Sequence, residues 1–106
     1  MARPVAVVEA ADLPPGAVLT VTVGGRPVVV ANLAGTLVAV DGACSHAAGP
    51  LGDGELVDGC QLRCPWHGAT FDLRTGAVRS GPARKGLRRY DVAVEAGTVL
   101  LTGIDR

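Results

Sequence analysis

A chain of 106 residues fits one domain, 1–106, with a modest core of its own. Ten basic and ten acidic residues cancel, so no global field recommends nucleic acid or an anionic membrane as a partner. Three cysteines, an odd number, argue against a disulfide framework.

The opening stretch, "MARPVAVVEAADLPPG", has one early arginine, no continuous apolar core and an acidic residue soon after, unlike a secretory signal. The most apolar run, "PVVVANLAGTLVAV", is interrupted by Asn32, Gly35 and Thr36 and is too short to span a bilayer. A soluble, cytoplasmic protein is expected.

Strand-like segments follow one another between Gly, Pro and Asp punctuation. Val5–Glu9 comes first, and "DLPPG" turns the chain. Ala17–Val23 alternates, with Val18, Thr20 and Thr22 on one face and Leu19, Val21 and Val23 on the other. Gly24 and Gly25 suit a two-residue hairpin turn whose central positions need positive φ. Val28–Asn32 and Thr36–Val40 pair around Ala34-Gly35. Farther on, Thr70–Leu73 and Ala77–Arg79 flank a turn at Thr75-Gly76, "SGPARKG" is a loop, and Leu87–Glu95 and Thr98–Thr102 close a last hairpin through Ala96-Gly97. No segment has a period near 3.6. The expected fold class is all-β, a small barrel or sandwich.

Between these hairpins lies "CSHAAGPLGDGELVDGCQLRCPWHG", Cys44 to Gly68, which holds both histidines and all three cysteines. Cys44 and His46 form one potential ligand pair, Cys64 and His67 another. Thiolate with neutral imidazole suits zinc or an iron–sulfur cluster, and favours neither hard cations nor phosphate. A structural zinc site more often pairs cysteine with cysteine and histidine with histidine. A mononuclear iron held by two histidines and a carboxylate has no histidines left to use, which excludes a standalone oxygenase.

The pattern C-x-H, seventeen residues, then C-x-x-H-G resembles the Rieske 2Fe–2S signature. "HGATFDLRTGAV" resembles the hairpin that follows the second ligand loop in that family, and "SGPA" its proline-bearing third loop. The resemblance implies one Rieske 2Fe–2S cluster per chain, with Cys44 and Cys64 on one iron and His46 and His67 on the other. It implies a β base carrying a cluster-binding subdomain of about residues 42–84.

Further implications follow from where the chain departs from the high-potential branch. Gly49 and Trp66 occupy the positions of that branch's bridging cysteines, and Ala69 and Phe71 those of its hydroxyl donors. Fewer donors to the reduced cluster predict a midpoint near the low end of the Rieske range, on the order of −150 mV. The subtype resembled is the soluble ferredoxin of bacterial aromatic-ring dioxygenase systems. It implies one-electron transfer from a flavin-dependent ferredoxin reductase to a terminal oxygenase or other redox protein, with no catalysis, small-molecule substrate, nucleic acid or membrane. The small Rieske-like subunit of assimilatory nitrite reductases is the alternative, and a zinc-stabilised interaction module the third reading.

Other residues carry smaller expectations. Cys60 reads as a small apolar residue on a strand leading into the second loop, Trp66 as a shield against water and Phe71 as packing beneath the site. Pro82 is a rigid loop residue over the cluster. Arg88 and Arg89 read as outward positions at a strand start. Asp53, Glu55 and Asp58 form an acidic group suited to docking on a basic partner surface. Tyr90 carries no functional expectation.

Overall fold

A computed structural model of the chain describes residues 4–43, 50–66, 68–81 and 85–105. Ten strands make two antiparallel sheets. The larger contains β1 (Val5–Glu9), β2 (Val18–Val23), β3 (Arg26–Leu33), β4 (Thr36–Asp41), β9 (Arg89–Glu95) and β10 (Thr98–Asp105). Its order is β1-β10-β9-β4-β3-β2, and β1 lies near β2, so the sheet curls into an almost closed barrel. The smaller sheet has the order β5-β6-β7-β8, built from Glu55–Val57, Gln61–Arg63, Thr70–Asp72 and Val78–Ser80. Helical structure among the described residues is limited to single 3-10 turns at Ala10–Asp12 and Leu51–Asp53. No helix there is long and apolar enough to cross a membrane.

The all-β expectation holds, and its turns explain why. Gly24 and Gly25 both have positive φ (57° and 80°), the twist that a two-residue hairpin needs between β2 and β3. Ala34-Gly35 and Ala96-Gly97 reverse the chain in the same left-handed region. Some strands run longer than the alternation predicts, with β3 starting at Arg26, β4 reaching Asp41 and β10 reaching Asp105, while β9 starts two residues late, at Arg89. The β5–β6 hairpin is an addition to the predicted set.

Two cores share one wall. Inside the barrel, Leu13, Val28, Val30, Ala39, Tyr90, Val99 and Leu101 pack together. Between the barrel wall and the small sheet, Val29, Ala31, Leu33 and Val40 meet Leu51, Leu62, Phe71, Leu73 and Leu87. Successive side chains of a strand point to opposite faces, so β3 serves both cores at once. That is why its sequence reads as a continuous apolar run. Asn32, which interrupts the run, is 8 % exposed and fully used: its side-chain amide donates to the Leu13 carbonyl at 2.9 Å and its Oδ1 accepts from Gly35 N at 2.6 Å. A buried polar side chain with both ends bonded costs little. It ties the first loop to the β3–β4 turn.

Candidate metal centre

The first expected ligand segment follows the end of β4. Gly42 N donates to Pro27 O at 2.9 Å, Leu51 N donates to Gly42 O at 3.0 Å, and Ala43 bridges Pro50 antiparallel. A Cβ on Gly42 would lie 2.9 Å from the Pro27 carbonyl carbon, so only glycine lets the strand end sit this close. The two feet of segment 44–49 are thereby clamped side by side. Cys44 and His46 lie within that segment, outside the described residues.

One residue upstream, Asp41 accepts a 2.7 Å hydrogen bond from the Tyr90 hydroxyl. Tyr90 is 7 % exposed, and its phenol is pushed above its ordinary value first by burial and then by Asp41. Nothing local in the sequence signals this pair, because 49 positions separate its members.

The second expected ligand segment is a tight hairpin between β6 and β7. Cys64 N donates to Ala69 O at 2.7 Å and Gly68 N donates to Cys64 O at 3.1 Å, with Gly68 at φ 78°. Cys64 is a free thiol, 2 % exposed, in the same core as Leu62, Ala69 and Phe71. Phe71 is fully buried in the same core as Cys64, and neither it nor Ala69 carries a hydroxyl. His67 lies outside the described residues, as does Pro82 of segment 82–84.

The two segments approach each other through Leu51 and Gly54. Leu51, just beyond the first segment, is fully buried in the core that contains Cys64. Gly54 lies against the Arg63 carbonyl, one residue before Cys64.

Several expectations change. Trp66, expected as a shield, is 56 % exposed, a surface position on the second segment. Cys60 is half-buried against the core but occupies the β5–β6 turn, where Asp58 and Gly59 have positive φ, rather than a strand. The Asp58-Gly59 pair was the available signal for that hairpin. Arg88 is exposed, whereas Arg89, inside β9, is half-buried; neighbours on a strand cannot both face outward. The acidic group is partly answered, because Glu55 pairs with Arg63 at 3.0 Å across β5 and β6.

Asp72 closes the β7–β8 turn. Its carboxylate accepts from Arg74 N, Nε and Nη2 at 2.8, 3.1 and 2.9 Å, and the Arg74 guanidinium holds it below the usual carboxylate range against the opposing effect of burial.

The profile of the Rieske [2Fe-2S] domain matches residues 3–91. The chain belongs to the Rieske [2Fe-2S] family. Among the Rieske proteins similar to it is the ferredoxin component of the naphthalene 1,2-dioxygenase system of Pseudomonas aeruginosa. It is 33 % identical over 90 residues, which cover 85 % of this chain and 86 % of the relative. The ferredoxin of carbazole 1,9a-dioxygenase from Nocardioides aromaticivorans IC177 superimposes with a TM-score of 0.89 at 32 % identity, over 96 % of this chain and 99 % of that one. A chain from the complex of reduced oxygenase and oxidized ferredoxin in carbazole 1,9a-dioxygenase gives the same score and identity over 97 % and 95 %. A Rieske domain implies an iron–sulfur cluster, and the donor chemistry fits: a buried free thiol at the neck of a tight hairpin, with a histidine three residues on in the sequence.

Proposed function

We propose that this chain is a one-electron carrier that passes electrons from a flavin-dependent ferredoxin reductase to a terminal oxygenase in the cytoplasm, and is not itself an enzyme. It holds one Rieske 2Fe–2S cluster per chain through Cys44, His46, Cys64 and His67, within a subdomain of about residues 42–84 of a single domain. Its similarity to dioxygenase ferredoxin components over most of both chains carries this reading. The nitrite reductase alternative has less support, because the curated relatives are components of dioxygenase systems.

When bound, the cluster supplies reversible one-electron chemistry, at a higher potential than an all-cysteine cluster because two ligands are neutral imidazoles. The rest is the work of the chain's own residues. The β6–β7 hairpin fixes the Cys64 thiol and turns the chain tightly through Pro65 and Trp66 toward His67. Leu62, Ala69 and Phe71 exclude water from Cys64. The clamp of Ala43 to Pro50 fixes the ends of the first segment. Asp53 and Asp58 are exposed for docking, with Glu55 already tied to Arg63.

Iron and acid-labile sulfide analysis of anaerobically purified protein tests the ligand set. Two irons and two sulfides per chain, lost on Cys44→Ser, Cys64→Ser, His46→Ala or His67→Ala, are expected, with the electron paramagnetic resonance spectrum of a reduced histidine-ligated cluster. Reconstituted protein with bound zinc and no iron would overturn the assignment. Transfer from a ferredoxin reductase to an oxygenase, followed by stopped-flow absorption, tests the role.

A further inference from the structure

Thr70 opens β7 one residue after Ala69, whose carbonyl holds Cys64 N. Ser80 ends β8 two residues before Pro82, where segment 82–84 begins. Thr70 Oγ1 and Ser80 Oγ stand 2.7 Å apart, and Thr70 is 8 % exposed. Their meeting depends on an irregularity. Phe71 pairs with Val78, so regular antiparallel register would set Arg79 opposite Thr70. The register shifts between Thr70 and Phe71, Arg79 becomes the extra residue, and Ser80 arrives opposite Thr70. A bulge re-aims the side chains beyond it at the cost of a regular ladder. Here the side chain re-aimed is the one that bonds Thr70.

The bond therefore joins the hairpin of Cys64 to the root of the loop that follows β8. The two ends of that loop are held by different means: at the far end, Leu87 N donates to Gly76 O at 2.7 Å. At the near end Ser80 is exposed, and its hydroxyl bonds that of Thr70.

We infer that Thr70 and Ser80 form a hydroxyl clasp that fixes the end of β8 against the Cys64 hairpin, making Thr70 a positioning residue for the reduction potential. The inference rests on the ligand set proposed above. Shielding around a metal group controls water access, and water access sets its potential. A β8 end parted from Thr70 opens the buried Cys64 hairpin to water, which favours the more negative reduced state, so breaking the clasp shifts the midpoint upward.

Thr70→Val keeps the shape of the side chain and removes its hydroxyl, Ser80→Ala removes the partner at an exposed position, and Thr70→Ser restores the hydroxyl. Cluster-loaded proteins are compared by protein-film voltammetry and by amide hydrogen exchange. The expected result is an upward shift in Thr70→Val and in Ser80→Ala, no further shift in the double variant, and the parent's potential in Thr70→Ser. Exchange at Gly81 and at 85–87 is several-fold faster in both hydroxyl-free variants, with iron content unchanged. A potential and exchange rates equal to the parent's in Ser80→Ala overturn the clasp, whatever happens to Thr70→Val. If the parent holds no iron, the ligand assignment fails, and hydrogen exchange alone still decides whether the clasp exists.

Discussion

Gly52 and Gly54 flank Asp53 in the turn that leaves the first ligand segment, and replacing each by alanine separates two kinds of crowding. Neither has a positive φ, and Gly54 sits at φ −81°, so the backbone accepts alanine and space alone decides. A Cβ on Gly52 overlaps Thr20 Oγ1 and lies 3.0 Å from Thr20 Cβ and 3.7 Å from Val29 Cγ2. Thr20 is exposed on β2 and can rotate its hydroxyl away. A Cβ on Gly54 overlaps the carbonyl oxygen of Arg63, with the carbonyl carbon at 3.1 Å. That oxygen belongs to β6 and cannot rotate. Overpacking costs roughly 1–3 kcal/mol, and the two sites belong at opposite ends of that range. With about 4–8 °C lost per kcal/mol in a domain near 100 residues, Gly52→Ala should melt on the order of 4–8 °C low and Gly54→Ala about 12–24 °C low. Thr20→Ala removes the atom in the way and should restore Gly52→Ala while adding independently to Gly54→Ala. Thermal unfolding of cluster-loaded protein, followed by circular dichroism and visible absorption together, reads both outcomes. Because Gly54 presses on the residue before Cys64, Gly54→Ala should also lose iron. Equal melting of the two single variants, or no rescue by Thr20→Ala, would refute the reasoning.

Trp66→Ala should leave stability and potential unchanged while slowing electron transfer to an oxygenase, since the side chain is exposed beside a proposed ligand; as the sole tryptophan, its emission should shift to the blue on docking. Tyr90, the sole tyrosine, should titrate above the ordinary value of about 10 in alkaline ultraviolet difference spectra despite the opposing pull of Arg26 and Arg88, and Asp41→Asn should lower that midpoint. Because folding raises this pKa, the associated stability is full below the unfolded value and is lost as pH rises through the folded one; an ordinary midpoint would contradict the buried bond. Asp72 has the reverse sign: its pKa is lowered by Arg74, so its contribution is present above the unfolded carboxylate value of about 3.9 and is lost as pH falls through the folded one. Arg74→Ala should move the acid-unfolding midpoint upward, and an unchanged acid limb would remove Arg74 from the account.

The barrel was legible because its turns are written in adjacent residues. Gly24-Gly25, Ala34-Gly35 and Ala96-Gly97 each reverse the chain where strands begin and end. The small sheet was harder to read. β5 and β6 are three residues long, too short for alternation to register, and only Asp58-Gly59 marked their hairpin. Of the proposed ligands, Cys64 is the one among the described residues, at the neck of a tight hairpin. Cys44, His46 and His67 rest on the sequence and the family. What the sequence hides is pairing over distance: Asp41 finds Tyr90, and Thr70 finds Ser80 only because a bulge advances the register. Exposure is equally hidden from the sequence: Trp66 lies at the surface of its turn, whereas Phe71, five residues on, is fully buried.

Strand β3 leaves neither of its faces to water: Val28 and Val30 look into the barrel, Val29 and Ala31 toward the iron–sulfur side. Neither compartment can be emptied without baring the other's lining. Bleaching of the visible colour on heating should therefore coincide with collapse of the barrel, and a bulky substitution at Val30 should be felt at the redox end of the molecule through its neighbours along the same ribbon.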